Sequence, residues 1–163
     1  MGFPLNEFVL PRNNCEVVNK TWSTLAEWRK FIICLDGRSG LGKSVYARYL
    51  AYRLNMPCYH LDEFKTGNGV YDHSAALFDC ILKRQEYERP VIIEGLCSAE
   101  ILAKAQYPAD LLIRLQMKGY LGPSGYRDMC KRYEETFTPD VTAVALTPRS
   151  ALDEDWYEID PSK

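Results

Sequence analysis

Residues 37 to 44, Gly-Arg-Ser-Gly-Leu-Gly-Lys-Ser, fill the pattern G-x-x-x-x-G-K-[ST]. Few short segments restrict a fold so strongly. Glycines let the backbone curl until several N–H groups face one concavity, and a helix must follow so that its unpaired N–H groups and positive dipole end close the cradle. A strand must come first to hold the loop at a sheet edge. Both neighbours are present: the apolar run Phe31-Ile32-Ile33-Cys34-Leu35-Asp36 precedes the loop, and Val45, Tyr46, Tyr49, Leu50 and Leu54 follow at helical spacing. Gly37, Ser39, Gly40, Leu41, Gly42, Lys43, Ser44 and Val45 are therefore the candidate residues for holding a nucleoside triphosphate. Lys43 is suited to the β- and γ-phosphates and the Ser44 hydroxyl to Mg²⁺.

The alternation continues beyond the loop. A helix over about 43 to 55 ends at Pro57, and a short strand, 58 to 61, runs into Asp62-Glu63-Phe64. A polar loop, 65 to 73, leads to a helix that Ser74 can cap, with Ala76, Leu77, Cys80, Ile81 and Leu82 as apolar positions. Pro90 stops that helix, 91 to 94 is a buried strand, Ser98 caps a helix to about 106, and 109 to 115 is a fourth strand. Alternating strands and helices imply a three-layer α/β/α sandwich around a mostly parallel sheet of five strands. The fifth strand is either 141 to 146 or 156 to 159. A charged helix is expected over 126 to 137. Residues 1 to 22 read as an irregular arm, with a short helix opening at Ser23 or Thr24, and 118 to 138 as a candidate lid on a single domain spanning 1–163.

Composition narrows the functional classes. A formal net charge of -2 argues against a broad nucleic-acid-binding surface. No window is apolar enough for a membrane span, and residues 1 to 10 lack the pattern of a secretory signal, so the expected compartment is the cytoplasm. Six cysteines without a C-x-x-C pair read as buried thiols more readily than as a metal or disulfide framework.

In an open parallel sheet, ligands sit beyond the carboxyl ends of the strands. Asp36-Gly37, Asp62-Glu63 and Glu94-Gly95 therefore fall on one rim. A carboxylate there can take a proton from a hydroxyl, hold Mg²⁺, or cap the next turn. His60 reads as a packing residue, and Phe64 as either core or pocket wall.

FIICLDGRSGLGKS at 31 to 44, CYHLDEF at 58 to 64, YDHSAALFD at 71 to 79 and VIIEGL at 91 to 96 together resemble the uridine kinase and phosphoribulokinase family of P-loop kinases, over about residues 24 to 117. The resemblance implies ATP or GTP with Mg²⁺, and a small nucleoside- or sugar-like molecule as the hydroxyl acceptor. It implies Asp62 as the acid that activates the hydroxyl, with Glu63 and Phe64 shaping the acceptor pocket. Tyr71, Asp72 and His73 would contact the acceptor, and Glu94 would stand near Mg²⁺ and the acceptor. Three departures are visible, the first being Ser74, which stands where the family often has proline. The interval from Asp79 to Pro90 is short, and the arginine-rich lid run is reduced to 125 to 128 plus Lys131 and Arg132, leaving Arg127 as the lid candidate. A nucleotide-binding regulatory protein with little transferase activity is the competing reading. A polynucleotide kinase would need a basic groove, which this sequence does not show. Pro148-Arg149 is a candidate contact for a purine base, and a homo-oligomer is compatible with the sequence.

Overall fold

The computed structural model describes residues 10–27 and 30–145, with side chains of 26 and 27 outside the description. Its elements, in chain order, are α1 (Asn14–Glu27), β1 (Ile32–Gly37), α2 (Lys43–Leu54), β2 (Cys58–His60), a 3₁₀ turn (Leu61–Phe64), α3 (Ala75–Glu86), β3 (Val91–Glu94), α4 (Ser98–Lys104), β4 (Leu111–Gln116), a 3₁₀ turn (Ser124–Tyr126), α5 (Arg127–Thr136) and β5 (Val141–Val144). The strands form one sheet in the order β2-β3-β1-β4-β5, and every neighbouring pair is parallel. β1 lies in the middle, so the loop that follows it opens where connections leave the sheet in both directions.

β1, β3 and most of β4 are buried on both faces, which is why they read as continuous apolar runs rather than alternating ones. Alternate residues feed two cores. Ile33, Leu35, Ile92 and Ile113 pack with Val17, Tyr46 and Leu50 of α1 and α2. Ile32, Cys34, Ile93 and Leu112 pack with Leu77, Ile81, Leu102 and Tyr133 of α3, α4 and α5. The result is the expected three-layer sandwich. Leu50, fully buried in the first core, is the kind of residue whose truncation to alanine costs about 2–5 kcal/mol.

The amino-terminal segment departs from expectation. Residues 14 to 27 form one continuous helix rather than an irregular arm, and neither Ser23 nor Thr24 starts it; their hydroxyls bond back to the Lys20 carbonyl within the helix. Asparagines and missing periodicity concealed the helix, because its stability comes from tertiary contacts. Val17 and Val18 enter the first core, and Asn13 serves β5 as a surrogate strand neighbour. Its Nδ2 donates to the Thr142 carbonyl at 2.7 Å and its Oδ1 accepts from Val144 N at 2.9 Å.

Other boundaries shift by small amounts. Cys97, in a left-handed conformation, precedes α4, so Ser98 is its first residue rather than its cap. The strand at 141 to 144 takes the fifth place in the sheet; the alternative at 156 to 159, like Pro148-Arg149 and residues 1 to 9, lies outside the described residues. Leu82 is exposed and contributes nothing to the α3 face that enters the core.

Candidate active site around the P-loop

Gly37 ends β1 at φ 138°, and a Cβ there would collide with the Leu115 carbonyl oxygen on β4. Only glycine permits strands this close where the chain must also turn. Gly40 and Gly42 follow at φ 93° and 84°, curling the loop around the amino end of α2. Gly42 occupies the position before α2, and no side chain caps that end. The first-turn N–H groups of this 12-residue helix thus face the loop's hollow, as an anion site requires. Leu41 points the other way and is buried in the core.

The hollow is a cleft of about 310 Å³, lined by the loop residues Ser39, Gly40, Gly42, Lys43, Ser44 and Val45 on one side. Asp62, Lys65, His73, Glu94 and Tyr126 line it from the ends of the other elements. Lys43 Nζ donates to the Arg38 carbonyl at 3.2 Å, so the side chain arches back over its own loop. Burial lowers the Lys43 pKa against the opposing pull of Glu94, Asp36 and Asp62. An ammonium held at this cost is relieved by an anionic ligand.

Glu94, at the end of β3, is buried, and the Ser44 hydroxyl donates to its Oε2 at 3.2 Å. A hydroxyl and a carboxylate brought together at the mouth of an anion cradle are a hard oxygen-donor pair. Such a pair fits Mg²⁺, which takes few protein ligands and completes its shell with water and phosphate oxygens. Asp62 sits on the 3₁₀ turn after β2, largely exposed, with Lys65 Nζ 3.5 Å from its carboxylate. His73 reaches the same cleft from just ahead of α3, and among the described residues neither of its buried ring nitrogens has a hydrogen-bond partner. Burial lowers its pKa.

The remaining candidates lie elsewhere. Phe64 packs against the second core and meets Tyr59 edge-on, with ring centroids 6.1 Å apart, so it is core rather than pocket wall. Glu63 is exposed and does not line the cleft. Tyr71 donates to Glu100 at 2.6 Å and lies under Lys104, which ties it to α4. Asp72 closes its own turn by accepting from Gly69 N at 3.0 Å. Arg127 donates from Nε to the Gly122 carbonyl at 3.1 Å and stands outside the cleft wall.

Sequence reasoning missed the fastening of the loop from behind. Arg38 binds Glu134 of α5 through Nε and Nη2 at 2.9 and 2.8 Å and reaches the Leu121 carbonyl with Nη1. Tyr120 donates to the Ser39 carbonyl at 2.6 Å. On the α5 face of the sheet, Asp36 accepts from Arg114 and from the Tyr133 hydroxyl. These partners lie roughly 80 to 100 residues apart in the chain, so no local pattern announces them. His60, read as a packing residue, is buried, and its ring also contacts Glu94 at 2.7 Å, which no local pattern announces.

No protein-family model matches this chain, and no curated protein matches it. Among solved structures it is similar to a possible uridine kinase from Bacillus stearothermophilus, at 16% identity and a TM-score of 0.48, over 80% of this chain and 99% of that one. It is similar to a gluconokinase from Sinorhizobium meliloti 1021 at 16% identity and a TM-score of 0.45, over 75% and 86% of the two chains. An uncharacterized protein from Eubacterium ventriosum ATCC 27560 is similar at 18% identity and a TM-score of 0.43, over 70% and 87%. No helix among the described residues is long and apolar enough to cross a membrane. The loop, the parallel sheet and the cleft at its carboxyl edge together make this an α/β fold of the P-loop type.

Proposed function

We propose that this chain is a phosphotransferase that moves the γ-phosphoryl group of ATP to a hydroxyl of a small nucleoside- or sugar-like molecule. One observation carries the reading: Lys43, Ser44, Asp62 and Glu94, from three different strand ends, line the same cleft as the P-loop backbone. Lys43 and the loop N–H groups would bind the phosphates and spread the charge that develops on the outermost one. Ser44 and Glu94 would hold Mg²⁺, which when bound supplies further neutralisation of phosphate charge. Asp62, exposed and paired among the described residues with Lys65 alone, would turn toward an acceptor hydroxyl and take its proton. His73, whose ring nitrogens have no hydrogen-bond partner among the described residues, would orient that acceptor.

The position of Arg127 favours the second reading, a nucleotide-binding regulatory protein with little transfer activity. No arginine among the described residues lines the cleft, so the cationic help that commonly closes over a transferred phosphoryl group would have to come from movement of the segment after β4. Two variants separate the readings. Lys43→Ala should abolish both triphosphate binding and transfer, whereas Asp62→Asn should abolish transfer while binding ATP nearly as the wild type does. The assay is phosphate transfer from ATP or GTP with Mg²⁺ across nucleosides, sugars and vitamin-like alcohols. Tight nucleotide binding with no transfer to any of them would favour the regulatory reading, and full turnover in Asp62→Asn would remove that residue from the chemistry.

A further inference from the structure

The geometry points to His60 as a positioning residue for Glu94, held in one tautomer by Arg48; this rests on the phosphotransfer reading of the cleft. β2 and β3 pair so that His60 stands opposite Glu94, and both side chains are buried on the α2 face of the sheet. Across from them, α2 presents Ser44 and Arg48, four residues apart and therefore on one helix face. The four form a chain: Arg48 Nε donates to His60 Nε2 at 3.3 Å, His60 Nδ1 meets Glu94 Oε2 at 2.7 Å, and Ser44 Oγ donates to that same Oε2 at 3.2 Å.

The proton on the ring is fixed from both ends. A guanidinium has no acceptor, so Nε2 must offer its lone pair to Arg48. A contact of 2.7 Å between a ring nitrogen and a carboxylate oxygen requires a proton between them, so Nδ1 carries it. His60 therefore donates from Nδ1 to Glu94. Among the described residues, no hydrogen bond reaches Glu94 Oε1, which leaves one oxygen for the cleft while the other is tied down. Ser44 is the donor that would be given up to Mg²⁺, and His60 is then the one that keeps Oε2 in place. Such outer contacts commonly change metal affinity by about 10- to 100-fold when removed.

Two measurements test this. The chain contains only two histidines, so nitrogen-15 NMR of the imidazoles, with His73→Gln to identify the second ring, reads the tautomer of His60 directly. The expected state is a protonated Nδ1 and a bare Nε2, with the Nδ1 signal moving in Glu94→Gln. A proton on Nε2 would overturn the positioning. Binding of a fluorescent ATP analogue is then titrated against Mg²⁺. His60→Leu should need about 10-fold more Mg²⁺ or beyond, with Mg²⁺-free binding unchanged. His60→Asn, which restores a donor near the Nδ1 place, should stay within about three-fold of wild type. Arg48→Gln, at an exposed position that spares the core, should fall between them. Equal Mg²⁺ requirements in His60→Leu and wild type would overturn the inference, as would a His60→Asn protein no better than His60→Leu. Wild-type protein with the expected tautomer but no nucleotide binding would overturn the phosphotransfer reading, and with it the role given to His60. That failure is distinct from a wrong tautomer.

Discussion

Asp36 and Arg114 stand opposite each other in register on β1 and β4, and the guanidinium meets both carboxylate oxygens, from Nε at 3.0 Å and from Nη2 at 2.8 Å. Both are almost wholly buried. Burial pushes the Asp36 carboxyl up, against the pull of Arg114 and the Tyr133 hydroxyl, and the pairing raises the Arg114 pKa despite its burial. The pair lies directly beneath the start of the P-loop.

Removing one member strands the other. Arg114→Met should cost about 3–5 kcal/mol, because an uncompensated carboxylate is left in the core. The double variant Asp36→Leu/Arg114→Met should recover much of that loss, since a buried pair replaced by apolar groups is often near neutral. Urea denaturation measures both. A double variant as unstable as the sum of the single ones would contradict the pairing.

Gly37→Ala should be among the most harmful small substitutions in the chain. The new Cβ meets backbone on β4, which costs about 1–3 kcal/mol for overpacking, and φ 138° adds a strain of similar size. Gly125→Ala is the contrast: nothing stands within 4 Å of the added carbon, and stability should stay within about 0.5 kcal/mol. Thermal melts of the two proteins give the comparison directly.

The Arg38–Glu134 bridge is bidentate and only partly exposed, with side chains 17% and 24% accessible. A double-mutant cycle through Arg38→Ala and Glu134→Ala should give a coupling of about 1 kcal/mol, the upper end for such pairs. Each single variant should also speed amide hydrogen exchange in α5. Unchanged exchange there would mean that Tyr133 alone anchors the helix.

His73 gives a pH dependence whose sign is set by its burial. Its folded pKa lies below the ordinary 6.5, a result of burial first and of Lys65 after it, opposed by the Tyr71 backbone and then by Asp62 and Asp72. The unfolded chain therefore binds the proton more readily, and stability falls as pH drops from about 6.5 through the folded value. Denaturation midpoints of wild type and His73→Gln, compared between about pH 7 and pH 5, should converge as the wild type loses its advantage. Parallel curves would show that the imidazole is freely solvated.

What could be read in the chain follows the range of the interactions. The P-loop, the apolar strands and the parallel class depend on residues within a few positions of one another, and the described structure has them where the pattern put them. Helix α1 was hidden because Asn13 and Asn14 look like loop residues until β5 supplies the partners of the first and Tyr46 and Tyr49 of α2 those of the second. The cleft acids were legible as strand ends. Phe64 was not separable from a pocket residue, because an aromatic on a short turn faces inward or outward according to what packs on it, here Tyr59. His60 had no local signal: its role exists only because β2 pairs with β3 in the register that sets it against Glu94.

The ties from Arg38 to Glu134 and from Asp36 to Tyr133 join the end of β1 and the loop after it to α5, and the tie from Ser39 to Tyr120 joins that loop to the segment after β4. A ligand entering the phosphate cradle would find its amide donors already aimed, and little ordering entropy would be charged against the contacts it makes.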